Sequence, residues 1–126
     1  MRVLLDTAVL IFAVESPERL SKTAFDVLSN PENTRELSAL SVSEIAIKAA
    51  RHRLRFSLAD TQRAIDDLYL RILPYTMDHA FRLYDLPLHH SDPFDRQIIA
   101  QALYEEIPII TSDEKFSLYK GLEIIW

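Results

Sequence analysis

The chemistry open to this sequence must rest on carboxylates, hydroxyls, histidines or bases, and the carboxylates are the first candidates. Asp6, Glu44, Asp95 and Asp113 each stand at the end of a β-like run or near the start of a helical pattern. The chain has no cysteine and one glycine, Gly121. The missing cysteines remove disulfides, thiolate nucleophiles and cysteine-based zinc or iron–sulfur sites. The scarcity of glycine removes the phosphate-binding loop, the dinucleotide fingerprint and the glycine-flanked serine elbow, all of which need glycine where the backbone turns tightly or approaches phosphate. Carboxylates gathered in one place repel, so they protonate, pair with bases or share a cation. A hard oxygen site of a few carboxylates plus water suits Mg²⁺ or Mn²⁺ and leaves room for phosphate oxygens. If the four acids converge, the chemistry implied is phosphodiester hydrolysis or phosphoryl transfer.

The elements that must position these acids alternate along the chain. Short β-rich runs are Val3–Leu5, Glu36–Leu40, a weaker Ile72–Leu73, Ile107–Ile110 and Leu122–Trp126. Amphipathic segments lie between them, a pattern that predicts an α/β fold with a central parallel sheet flanked by helices. With 126 residues, 48% hydrophobic and 26% charged, and no repeat or composition shift, one domain over residues 1–126 is expected. Asp6 follows the first strand, and Asp113 lies just beyond the Ile107–Ile110 strand. Ligands of open α/β sheets bind outside the carboxyl ends of the strands, so both acids reach the functional edge. Glu44, opening the helix after the second strand, belongs to the same edge, whereas spacing alone leaves the position of Asp95 open.

Helix starts are marked at Ser16-Pro17, Ser57-Leu58-Ala59-Asp60 and Asp92-Pro93-Phe94-Asp95. Ser41-Val42-Ser43-Glu44 has capping-box spacing. In the helix it opens, Val42, Ile45, Ala46 and Ala49 form a core stripe about 100° wide, with Glu44 on the opposite, polar side. Capping alone accounts for any single acid at a helix N-terminus. Thr7, Ser41, Ser112 and Asp92 are competing caps beside the four acids, which favours a metal site for the set. Lys48, Arg96 and Lys115 are near enough in sequence to be ion-pair partners instead.

The same segments carry a family resemblance. Val3-Leu4-Leu5-Asp6-Thr7, Ser41 to Lys48, His90-Ser91-Asp92-Pro93-Phe94-Asp95-Arg96 running into Ile98 to Ala102, Ile109-Ile110-Thr111-Ser112-Asp113 and the closing Leu122 to Trp126 resemble the PIN domain, and within it the VapC-type toxins of toxin–antitoxin pairs. Each piece is weak, the ordered set is fairly specific, and residues 54–88 carry little of it. The resemblance implies a Mg²⁺- or Mn²⁺-dependent endoribonuclease. Asp6, Asp95 and Asp113 are then metal ligands, and Glu44 is a ligand or the group orienting the attacking water. Thr7 and Ser112 become hydroxyls steadying the carboxylates. It further implies a homodimer inhibited by a small antitoxin that covers the active-site region. Asp92 reads first as the helix cap.

Lys48, Arg51 and Arg55 project within about 40° of Glu44 on a helix, so a phosphate-binding strip for RNA is as good a reading as a solvated face with a Glu44–Lys48 pair. His89-His90 reads as a polar loop, and Tyr69, Tyr75, Phe81 and Tyr84 as core or dimer surface. A dehalogenase-like phosphatase needs a second aspartate where Ala8 stands, and a receiver-type phosphoacceptor needs an acidic pair that is missing. A non-enzymatic scaffold of the same fold is the other alternative. Residues 3–14 are apolar but interrupted by Asp6 and lack a cleavage site, so a cytoplasmic protein with no membrane association is expected. The net charge of −5 argues against nucleic acid only until the four site acids are set aside, after which the remaining acids exceed the fourteen bases by one.

Overall fold

The computed structural model describes residues 1–126. Five strands, β1 (Arg2–Leu5), β2 (Thr34–Ser38), β3 (Arg71–Leu73), β4 (Ile109–Ile110) and β5 (Ile124–Ile125), form one sheet in the order β3-β2-β1-β4-β5. Every pairing is parallel, with Leu5 opposite both Leu37 and Ile110. The chain builds outward from β1 to β3, then returns to start again at β4. The switch point lies between β1 and β4, which is where doubly wound sheets open a crevice at their carboxyl edge.

The sheet core follows from strand alternation. Val3 and Leu5 point into one apolar cluster with Val9, Leu10, Leu37 and Ile45, while Leu4 points into the other with Ile98, Ile99, Ala102 and Phe116. The six helices are α1 (Thr7–Glu15), α2 (Lys22–Ser29), α3 (Ala39–Ala50), α4 (Leu58–Asp67), α5 (Met77–Arg82) and α6 (Pro93–Glu105). Helices α1, α2 and α4 cover the first face and α6 the second, while α3 contributes Ile45 to one cluster and Leu40 to the other. No helix is long and apolar enough to cross a membrane.

Capping fixes where these helices begin. Ser57 and Asp60 close a reciprocal capping box on α4, as their spacing predicts. Asp92 accepts from the amides of Phe94 and Asp95 with Pro93 at the first helical position, also as predicted. The start of α3 differs. Ser38 is its cap, accepting from the Leu40 amide, so β2 ends at Ser38 and the expected box at Ser41–Glu44 lies inside the helix. The helix is rotated accordingly: Ser41, Glu44 and Ile45 are buried and Ala46 is exposed, so Glu44 does not occupy a polar outer side. Pro17 begins only a 3-10 turn, and α2 is capped by Ser21. The β4 and β5 hydrogen-bonded runs are shorter than their apolar sequences.

Candidate functional site

Asp6, Glu44, Asp95 and Asp113 line one cavity of about 340 Å³ at the carboxyl edge of the sheet. Thr7, Lys48, Arg53, Asp92 and Ser112 also line it. Asp6 is delivered by β1, its amide donating to the Ile110 carbonyl at 3.0 Å, and Asp113 follows β4. Glu44 reaches inward from the second turn of α3, and Asp95 from the first turn of α6. The switch between β1 and β4 thus supplies two acids and the flanking helices two more. No three acidic or histidine side chains are gathered tightly enough to make a closed ligand set; the carboxylates ring the cavity.

Capping explains Asp113, whose carboxylate accepts from the Lys115 amide at 2.9 Å and caps a 3-10 turn. It does not explain the others. Asp6 occupies the N-cap position of α1 without a side-chain cap bond, Asp92 does the capping for α6, and Glu44 sits well inside α3. Nor do bases neutralise the set. Only Glu44 has a cation, Lys48 Nζ at 2.6 Å from Oε2, and its buried Oε1 has no hydrogen-bond partner. Arg96 is spent on the carbonyls of Pro87 and Leu86 and on the Tyr119 hydroxyl, and Lys115 meets Asp113 only through its backbone amide.

The electrostatic consequence falls on the two most enclosed aspartates. Burial lifts the Asp6 carboxyl to about 6, helped by the charges of Glu44 and Asp113, while the Thr111 hydroxyl and the Thr7 amide pull the other way. Burial also lifts Asp95 to about 7, followed by the charges of Asp6, Asp92, Glu44 and Asp113. Acids crowded in this way are relieved by protons or by a cation. An oxygen-only set with one buried, unpartnered carboxylate oxygen has the donor chemistry of a hard divalent ion such as Mg²⁺ or Mn²⁺.

Three expectations require correction. The hydroxyl that steadies Asp6 belongs to Thr111, which donates to Oδ2 at 2.8 Å and accepts from the Asp113 amide at 3.0 Å. Ser112 is exposed on the rim, because side chains leaving a strand alternate and Thr111 is the one turned toward β1. The Thr7 hydroxyl donates to Ser41 at 2.8 Å, tying α1 to α3, and only its amide serves the carboxylate. The strip Lys48–Arg51–Arg55 does not exist, since α3 ends at Ala50. Arg51 is its C-cap, and Arg55 lies beyond the helix.

Arg53, which belongs to the same run of four bases from Lys48 to Arg55 but falls off the predicted helical strip, lines the cavity instead. The reason is the turn that ends α3. His52 takes a left-handed conformation (φ 55°), the Arg53 amide bonds back to the Lys48 carbonyl at 2.9 Å, and the chain folds over the mouth of the site. A helix-terminating turn usually announces itself by glycine, and here histidine fills that position. Tyr69, Phe81 and Tyr84 are exposed and away from the cavity, so they are not core.

The PIN domain family model matches residues 3–122. The chain is similar in structure to VapBC2 from Rickettsia felis bound to a promoter DNA fragment (TM-score 0.72, 17% identity, 98% of this chain and 97% of that chain). It is also similar to DNA-bound VapBC from Salmonella typhimurium (TM-score 0.69, 18% identity, 98% and 96%). A toxin–antitoxin complex from Klebsiella pneumoniae superposes with a TM-score of 0.62 at 22% identity, covering 95% and 94%. No curated protein sequence matches. At these identities the structural neighbours speak to the fold, and the family model, spanning all five carboxylates that line the cavity, establishes that the chain belongs to the PIN domain family.

Proposed function

We propose that this chain is a Mg²⁺- or Mn²⁺-dependent endoribonuclease and the toxin of a toxin–antitoxin pair. The PIN family is one of nucleases, which supports phosphodiester hydrolysis as the reaction class. The observation that carries the metal reading is the pair of enclosed aspartates, Asp6 and Asp95, facing a buried Glu44 oxygen that no base satisfies. Asp6, Asp95 and Asp113 would hold the ion, with Glu44 as a further ligand or as the base that orients the attacking water. When bound, a divalent ion supplies polarisation of the phosphoryl oxygens and a lowered pKa for water.

The remaining work belongs to the chain's own groups. Thr111 fixes the Asp6 carboxylate through Oδ2. Lys48 holds one oxygen of Glu44 and so directs the free one inward. Arg53, with no ion-pair partner at the cavity mouth, suits a phosphate of the incoming strand.

The structural neighbours are toxin–antitoxin assemblies, which supports a small antitoxin protein as the partner. A homodimer in the cytoplasm completes the reading. The exposed Phe81 and Tyr84, with Ala80 and Leu83 around an apolar hollow, favour a protein–protein face at the end of α5 and the 3-10 turn that follows it.

Sequencing of RNA ends after brief expression tests both activity and target. New ends are expected with the wild type and not with Asp6→Asn at equal abundance. Purified protein should cleave RNA only with Mg²⁺ or Mn²⁺, and Asp6→Asn should lose at least about a hundredfold. Cleavage surviving in excess chelator, or at the wild-type rate in the variant, contradicts the assignment.

A further inference from the structure

We propose that His90 is a positioning residue that holds the Asp95 carboxylate in the cavity, and that Tyr119 and Arg96 lock His90 in the one tautomer able to do so. The proposal rests on the reading of Asp95 as a metal ligand. His90 lies in the loop before α6, its side chain only 8% exposed. Its Nε2 is 3.4 Å from Asp95 Oδ2, and its Nδ1 is 2.7 Å from the Tyr119 hydroxyl. Both ring nitrogens are therefore engaged, and on opposite sides of the ring.

The donor directions follow by elimination. Arg96 has only donors, and its Nη1 reaches the Tyr119 oxygen at 3.2 Å, so that oxygen accepts from the guanidinium. The phenol proton then has one acceptor within reach, His90 Nδ1. An Nδ1 that accepts leaves the ring proton on Nε2, and Nε2–H has Asp95 Oδ2 as its partner. The chain of donors runs Arg96 to Tyr119 to His90 to Asp95. It ends on an acid whose own backbone is pinned by the Asp92 cap.

The far end of this chain is well anchored. Tyr119 is buried, and Arg96 also holds the Pro87 and Leu86 carbonyls, which secures the loop carrying His90 against α6. His89 packs edge-on against the Tyr119 ring, with centroids 4.9 Å apart. The arrangement has the logic of groups that orient a ligating side chain from behind, whose loss costs about 10–100-fold in metal affinity or activity.

Nitrogen-15 NMR of histidine-labelled, metal-free protein reads the tautomer directly. The wild type should show His90 protonated on Nε2 and bare on Nδ1, and Asp95→Asn should move the Nε2–H proton signal. Tyr119→Phe should abolish the single-tautomer pattern. Mn²⁺ titration of the same proteins should show affinity reduced roughly tenfold in Tyr119→Phe.

His90→Gln keeps a donor and should recover most of the wild-type affinity, whereas His90→Phe keeps the ring packing and should not. A proton on Nδ1 in the wild type overturns the proposal, as does His90→Phe binding Mn²⁺ like the wild type. Were the wild type to bind no Mn²⁺, the metal reading would fall, and the tautomer together with its response to Asp95→Asn would still decide the positioning role.

Discussion

Two regions of this molecule bury acids and treat them in opposite ways. Toward the amino edge of the sheet, the buried Glu36 takes two hydrogen bonds from Arg2, at 2.6 and 3.0 Å, and Arg2 also holds Glu105 at 3.0 Å. Glu105 accepts in addition from His79 Nε2 at 3.1 Å, while His79 Nδ1 accepts from the Thr76 amide, which makes Nε2 the donor. The His79 bond, then the Arg2 bond, holds the Glu105 carboxyl below its ordinary value, and Arg2 is held well above its own. At the carboxyl edge, Asp6 and Asp95 are pushed up to about 6 and about 7 by burial among other acids. A fold that can surround buried carboxylates with bases at one edge leaves them uncompensated at the other. That difference is the physical ground for the proposal that the cavity receives a cation.

The largest expected effect is on activity at the uncompensated edge. Asp6→Asn should abolish RNA cleavage while its melting temperature in the absence of metal stays equal to or above that of the wild type, because a buried like charge has been removed. Scanning calorimetry checks the second half. At the compensated edge the expectation reverses: Arg2→Met leaves Glu36 buried without its base and should cost about 2–3 kcal/mol in urea unfolding. That is less than for a fully enclosed pair, because the Arg2 side chain is 40% exposed. Equal destabilisation by the two variants would erase the distinction.

Next in size is the pH dependence. Asp6 and Asp95 titrate above their ordinary 3.8 when folded, so the native state keeps protons that the unfolded chain has shed. Stability of the metal-free protein should therefore fall as pH rises from about 4 through about 7, and saturating Mg²⁺ should remove the fall. Asp95→Asn should flatten part of it. Glu105 works in the other direction, contributing stability that is present above its ordinary 4.5 and lost as the pH drops through its lowered folded value. Thermal melts across the range, with and without Mg²⁺, measure both.

The smallest effect concerns the mouth of the cavity. Arg53→Ala should raise the KM for RNA severalfold with kcat little changed, whereas Arg55→Ala should not. Steady-state cleavage of a short RNA would show it, and equal effects from the two arginines would restore a diffuse basic face as the better description.

Much of the site was readable because its acids sit where topology must deliver them. Asp6 after β1 and Asp113 after β4 needed only the strand runs and the rule for carboxyl edges. Asp95 was not decidable from spacing, since its reach depends on how α6 packs beneath the sheet through Ile98, Ile99 and Ala102. The fold class followed from the alternation of runs, but element ends did not. Ala39 and Leu40 continue an apolar stretch that reads as strand, and only the Ser38 cap reveals that helix has begun. That shift of the helix start turned Glu44 from a surface residue into a buried one. Thr111 and Ser112 are adjacent hydroxyls whose roles are set by side-chain parity after β4. The His90 contacts join residues far apart in sequence, and Arg53 depends on a left-handed His52 that has no glycine to announce it.

The central claim is that Asp6 and Asp95, which no base neutralises, together with the free oxygen of Glu44 receive a divalent cation. Isothermal titration of Mn²⁺ into metal-free protein, repeated in buffers of different ionisation enthalpy, tests it most directly. The ion should bind the wild type and not Asp6→Asn, and binding should release protons. The release should grow as the pH is lowered from about 8 toward about 6, where Asp6 and Asp95 hold them. Absence of binding to folded wild-type protein, or binding with no proton release near pH 6, would contradict the account.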